Sequence, residues 1–337
     1  MTETKLARLN AENPDEAPIM EAAAILRKGG LVAFPTETVY GLGADALNAE
    51  AVEHVFQAKG RPMDNPLIVH IADRDQLFEL ADEIPEKGLR LAKEFWPGPL
   101  TLVVHKTFLV PDVVTAGQQT VAVRVPDHPV ALALIAAVGS GIVGPSANIS
   151  GRPSPTTGEH VFADLKGRID MVLDTGPTEI GIESTVVDVT IDPPAILRSG
   201  GLYKESLEDI VGPVRYASEG ELLKRSPGTR HRHYAPKAEV VLVKEGDMKE
   251  LADKLQRFRQ KGKSVGCIVH SHALAKVESG DYFRILPTPI EFFARYLFRT
   301  FREFDEGGIQ VILVETVEEK GLGAAVMDRL RRAAASR

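Results

Sequence analysis

One cysteine, Cys267, occurs in 337 residues. A lone thiol cannot close an internal disulfide, and it cannot build a zinc ribbon or finger. No apolar run approaches the ~20 residues that span a bilayer. The opening segment, MTETKLARLNAENPDEAP, has no apolar signal core. A cytosolic protein without a membrane anchor is therefore expected. Basic charge is also in deficit: 40 Lys and Arg against 47 Asp and Glu leave a net charge of −7. The chain lacks the broad positive field of nonspecific nucleic-acid binders, so any anion site must be local. There is no internal repeat and no low-complexity tract. There is also no Gly-x-Ser-x-Gly elbow, which argues against a serine hydrolase.

What is present divides the chain. Its length exceeds the usual size of one core, so two domains are expected. Residues 1–215 read as short strands broken by turns and a few helices: LVAF, PLIVHI, LTLVVH, TVAVRV, GIVG, MVLD, STVVDV and AILR, each flanked by Pro, Gly or Asp. Helices are expected over EAAAILRKGG, over NAEAVEHVFQAKG with Asn48 as N-cap and Gly60 beyond its end, and over HPVALALIAAVGSG with Pro129 in the first turn. The pattern predicts a large twisted mixed sheet. Residues 237–337 change texture. Three apolar strands (AEVVLV, SVGCIV, QVILVE) alternate with long helical patterns, which predicts a small Rossmann-like parallel α/β domain. Residues 216–236 form the connector between them.

Polar chemistry gathers at strand ends in the larger part. FPTETVYGLGADA offers Thr36, Glu37, Thr38 and Tyr40. Its Gly41-Leu42-Gly43 sits too far from Phe34 for a dinucleotide fingerprint and reads as glycine-assisted turning. The stretch QAKGRPMDNPLIVH holds Lys59 and Arg61 between a helix end and Pro62. Asn65 and His70 follow. That rigid placement suits a polyphosphate: Arg binds two oxygens at once, and Lys acts as a point charge. Next, GIVGPSANISGRPSPTT places Ser146, Asn148, Ser154 and Thr156 after a strand. Arg124 lies within an apolar strand, where an arginine is costly unless it meets a structural carboxylate or an anionic ligand. Ser184 and Arg198 stand at other strand boundaries.

Lys59-x-Arg61 with Ser146-x-Asn148 resembles the YrdC-like catalytic domain of threonylcarbamoyl-AMP synthases. FPTETVYGLG, WPGPLTLV, VAVRVP, STVVD and ILRSG fall in that family's order across nearly all of residues 20–215. SPGTRHRHYAPKAEV, followed by a small α/β domain, is similar to the family's long, two-domain form.

The resemblance implies a twisted sheet with a concave, positive face and a defined reaction. Threonine, bicarbonate and ATP, with magnesium on the nucleotide, give threonylcarbamoyl-AMP and pyrophosphate. A downstream transferase then passes the threonylcarbamoyl group to an adenosine beside the anticodon of tRNA. By motif position, Thr38, His70, Arg124, Ser146 and Ser184 would bind threonine, with Arg124 on its carboxylate. Lys59, Arg61, Asn65, Thr120, Asn148, Ser154, Thr156 and Arg198 would bind ATP. Lys59, Arg61, Ser146 and Asn148 would form the catalytic group, acting by positioning and charge stabilisation. His70 is expected as a pocket donor rather than a general base. Arg230, Arg232, His233 and Tyr234, in the connector stretch RSPGTRHRHYAP, are expected to form a lid over the nucleotide. A concave basic face would also suit RNA, but the net charge speaks against affinity as the main function. Carbamoyltransferases of metallocentre maturation contain a similar domain, and the single cysteine excludes their zinc fingers. The role of the smaller domain is not readable from the sequence.

Overall fold

The structure, a computed structural model, describes residues 3–218, 220, 234–270, 283–286 and 289–335. These fall into two compact units. One lies within Met1–Ser150, Ser154–Glu179 and Glu183–His231, the other within Gly151–Pro153, Ile180–Ile182 and Arg232–Arg337.

In the first unit the apolar runs become strands β1 (Lys5–Arg8), β2 (Val32–Phe34), β3 (Gly41–Asp45), β4 (Ile68–His70), β5 (Ala81–Glu83), β6 (Leu100–Lys106), β7 (Thr120–Arg124), β8 (Ile142–Val143), β9 (Met171–Asp174), β10 (Thr185–Asp188), β11 (Ala195–Arg198) and β12 (Arg215–Tyr216). They form one mixed sheet in the order β1-β9-β2-β3-β8-β4-β7-β6-β10-β11-β12, with β5 added beside β6. Alternation along a strand sends neighbouring side chains to opposite faces. Val32 and Phe34 join a core beneath the helices Glu16–Arg27 and Pro129–Val138, while Ala33 joins the larger core on the other face. The helix Ala49–Lys59 is defined at both ends. Asn48 accepts from Ala51 N at 3.2 Å, and Gly60 ends it in the left-handed region at φ 61°. The Asn cap contributes about 1 kcal/mol. Gly60 turns the chain at once, so Lys59 and Arg61 leave on different paths.

Three sequence expectations are corrected. Gly41-Leu42-Gly43 is not a turn but the start of β3, antiparallel to β2 and β8. The ring of Phe34 occupies the space where side chains would stand. A Cβ on Gly41 would lie 2.8 Å from Phe34 Cζ, and one on Gly43 would lie 2.9 Å from Val32 O. The first helix begins at Glu16, five residues before the expected start. Strands β1, β5 and β12 are short and lie outside the expected set.

The second unit holds β13 (Glu239–Val243), β14 (Val265–Val269), β15 (Phe283–Ile285) and β16 (Val311–Glu315), all parallel in the order β13-β16-β14-β15. Phe283–Ile285 adds a strand to the three expected. Helices Met248–Gln260, Ile290–Glu306 and Leu322–Ala334 match the predicted helical patterns. Burial raises the Cys267 thiol to about 11, so it is an unreactive core residue.

Candidate active site

Lys59 is 2% exposed although it carries a charge. Its Nζ donates to Ser146 O and, at 2.7 Å, to Asn148 O. Ser146 Oγ and Asn148 Oδ1 are 2.6 Å apart, and Asn148 Nδ2 donates to Ile149 O at 2.8 Å. The loop itself is fixed by a bridge between Gly41 and Ser146 and by Ser150 N donating to Lys59 O at 2.9 Å. The Lys-x-Arg and Ser-x-Asn motifs, 87 residues apart, therefore form one cluster. Arg61 is half-buried and wraps its own loop, donating to Asn65 O at 3.3 Å and Pro66 O at 3.1 Å. Thr120, at the start of β7, shares a small cleft with Pro66.

Arg124, at the other end of β7, is 3% exposed and held on three sides. Its Nε donates to Gly98 O at 3.1 Å, and its Nη1 to Thr38 Oγ1 at 2.9 Å. Its Nη2 lies 2.6 Å from Glu37 Oε1, a buried charge pair whose angle falls short of a hydrogen bond. The structural carboxylate that an arginine in an apolar strand requires is thus Glu37. Sequence reasoning quoted Glu37 but gave it no role. Its signal was a carboxylate within FPTETVYGLG, in a chain where a strand-bound Arg needed a partner.

β4 pairs with β7 in parallel register, so His70 stands beside Arg124. Its ring meets the Phe34 ring edge-on, with centroids 5.6 Å apart. Burial, and then the charges of Arg124 and Arg198, hold its pKa well below the ordinary imidazole value. The ring is neutral at physiological pH. Gly144 passes close by: a Cβ there would lie 2.6 Å from His70 Nδ1. Two residues on, Ser146 meets Lys59. Arg198 Nη2 donates to Ser184 O at 2.9 Å and to Ser184 Oγ at 3.0 Å, and Ser184 Oγ is 2.8 Å from Thr101 Oγ1.

Lys59, at the end of its helix, thus meets the Ser146 loop, that loop passes His70 beside Arg124, and the charges of Arg124 and of the Ser184-bound Arg198 both act on His70. Farther along, Ser154 Oγ donates to Glu183 Oε1, and Thr156 Oγ1 is 3.4 Å from His160 Nδ1. Arg230, Arg232 and His233 lie outside the described residues. Tyr234 is described: it has a φ of 64°, stacks on Phe298 at 5.5 Å and lies under the Arg329 guanidinium at 5.1 Å, all within the second unit.

This site gathers several cations, hydroxyls and one neutral imidazole, an arrangement fit to hold more than one anionic group. The chain is 50% identical over 335 residues to the threonylcarbamoyl-AMP synthase of Pyrococcus abyssi, covering 97% of this chain and 96% of that protein. It belongs to the threonylcarbamoyl-AMP synthase family. A family model described as "Telomere recombination" matches residues 24–200, and one described as "Threonylcarbamoyl-AMP synthase, C-terminal domain" matches residues 202–335. The chain is therefore an enzyme of the family's two-domain form. It is also 46% identical over 329 residues to the Bacillus subtilis threonylcarbamoyl-AMP synthase, covering 96% of this chain and 94% of that one. A crystal structure of Pyrococcus abyssi Sua5 complexed with L-threonine superposes with a TM-score of 0.92 at 48% identity, covering 99% of this chain and 98% of that one. The expected fold, a mixed sheet followed by a separate small α/β unit, agrees with that likeness. No helix among the described residues is long and apolar enough to cross a membrane.

Proposed function

We propose that this enzyme condenses L-threonine, bicarbonate and ATP into threonylcarbamoyl-AMP with release of pyrophosphate, the first step of threonylcarbamoyladenosine formation in tRNA. The observation that carries the reading is the buried Lys59, clamped on the carbonyls of Ser146 and Asn148. It sets a fixed positive charge where the two family motifs meet. The threonine complex of the Pyrococcus abyssi protein supports threonine as the amino-acid substrate.

Each step can be assigned to groups of this chain. The threonine amine adds to the carbon of bicarbonate and water leaves, giving a carbamate. A carbamate oxygen then attacks the α-phosphorus of ATP, and pyrophosphate departs. Carboxylate, carbamate and triphosphate repel one another, and Lys59, Arg61, Arg124 and Arg198 offset that repulsion. Arg124, already oriented by Glu37, Thr38 and Gly98, receives the threonine carboxylate. His70, Ser146 and Ser184 line the same pocket. Arg61, Asn65, Thr120, Asn148, Ser154, Thr156 and Arg198 face the nucleotide. The neutral His70 binds through hydrogen bonds and adds no charge. Among the described residues no group of three or more His, Cys, Asp or Glu could hold a metal ion. Magnesium would accompany the triphosphate and offset part of its charge. The adenylate passes to a separate transferase that acts on tRNA, in the cytosol. Pyrophosphate release, measured with each substrate omitted in turn, tests this reading. It requires all three, and release that persists without threonine or without bicarbonate overturns it.

A further inference from the structure

Tyr40 has no part in the reaction above, although it stands two residues after Thr38 and is fully buried. A buried tyrosine carries a polar tip that needs partners. Here the ring packs in the larger core, and the hydroxyl reaches just beyond the end of β9. It lies 2.7 Å from Gly176 O and 3.1 Å from Asp174 Oδ1, and it accepts from Thr175 N at 3.1 Å. Burial, and then the Asp174 carboxylate, raise its pKa, so the phenol keeps the proton that it donates.

The main chain of the same residue holds two loops. Ala147 N donates to Tyr40 O at 2.8 Å, and Tyr40 N donates to Pro155 O at 3.0 Å. Ala147 stands between Ser146 and Asn148, and Pro155 stands between Ser154 and Thr156. In each loop Tyr40 therefore grips the middle residue of a pair of polar side chains. The second loop is also pinned on its far side. Thr156 O accepts from Thr178 N at 2.9 Å. Gly158 N donates at 3.2 Å to Asp174 Oδ1, the same oxygen that faces the Tyr40 hydroxyl. The fit there is close: a Cβ on Gly158 would lie 2.4 Å from Asp174 Cγ. Tyr40 and Asp174 thus brace both loops against the strand end, and all of these residues lie within the first unit. Arg124 and Ser184 are held by other contacts, through Glu37, Thr38, Gly98 and Thr101.

From this geometry we infer that Tyr40 is a positioning residue for the nucleotide: with its hydroxyl anchored beyond β9, it fixes the loop of Ser154 and Thr156 against the loop of Ser146 and Asn148. The inference rests on the reading above that assigns Asn148, Ser154 and Thr156 to ATP. Tyr40→Phe keeps the ring and the main-chain bonds and removes the hydroxyl alone. Calorimetric titration of the full chain with magnesium α,β-methylene-ATP, whose methylene bridge blocks the departure of pyrophosphate, and separately with L-threonine, reads the effect. In Tyr40→Phe the nucleotide binds about ten-fold more weakly, the size of one lost buried hydrogen-bond partner, while threonine affinity stays within about two-fold. Gly158→Ala, which presses on Asp174 and leaves Tyr40 in place, shows the same split. Nucleotide affinity within about two-fold of the parent in both variants, or an equal loss for both ligands, overturns the inference. A Ser154→Ala, Thr156→Ala double variant then locates the fault. If it weakens nucleotide binding, the brace alone is wrong; if it does not, the assignment of that loop to ATP has failed with it.

Discussion

Replacing Lys59 with Met keeps the length and apolar stem of the side chain and removes its charge and three donors. Two effects follow, and their sizes separate them. Within the folded protein, the carbonyls of Ser146 and Asn148 lose a buried donor, which costs about 1–3 kcal/mol of stability. In the reaction, a cation about 4 Å from a developing negative charge contributes ~4 kcal/mol at the effective dielectric of a partly solvated site. Removing one such group from other enzymes costs about 2.7–4 kcal/mol in the transition state, or 10²–10³ in rate. Lys59→Met is therefore expected to fold with a modestly lower thermal midpoint and to form adenylate about 10²–10³ times more slowly. Lys59→Arg does not restore the rate, because a planar fork cannot place one donor on both carbonyls. The assay is pyrophosphate release under saturating substrates, with circular dichroism to confirm the fold. A Lys59→Met rate within a factor of two of the parent refutes the placement of this charge.

Glu37→Gln removes the charge opposite the buried Arg124 guanidinium and leaves its Thr38 and Gly98 contacts, so urea unfolding shows a loss of about 3 kcal/mol; a loss under about 0.5 kcal/mol, at the level of surface substitutions, contradicts the pairing. Because His70 has a folded pKa well below its unfolded value, the unfolded chain binds the proton first as pH falls. Its contribution is complete above the unfolded value, near 6.5, and is lost on acidification below that at up to about 1.4 kcal/mol per pH unit; His70→Gln flattens that slope in pH-dependent denaturation, and an unchanged slope counts against a neutral buried ring. Gly144→Ala drives a methyl against His70 and lowers threonine-dependent turnover at least ten-fold while the fold persists; parental turnover means the ring is not part of the site.

The sequence exposed the site's parts better than its connections. Asn48, Gly60 and the strand-end polar residues were legible because caps and breakers act locally. The resemblance to the synthase family, not local pattern, brought Lys59, Arg61, Ser146 and Asn148 together. The Glu37–Arg124 pair was not legible, since it joins β7 to the loop after β2 and depends on tertiary burial. Strand β3 was missed for a related reason: Gly-Leu-Gly-Ala has poor strand propensity, and the ring of Phe34 stabilises it by occupying the space that glycine leaves. Phe283–Ile285 escaped notice because it is a three-residue edge strand with one side chain half-buried and two exposed. The order of the strands in each sheet depends on tertiary pairing, which local patterns do not encode.

The central claim is that one site joins the carbamate carbon to threonine and then to AMP. Incubating the enzyme with ¹³C-bicarbonate, threonine and ATP, and resolving the products by mass spectrometry, tests it most directly. The account predicts a threonylcarbamoyl-AMP species heavier by the single labelled carbon, formed in step with pyrophosphate and slowed about 10²–10³-fold in Lys59→Met. Pyrophosphate released without the label entering an adenylate would contradict it.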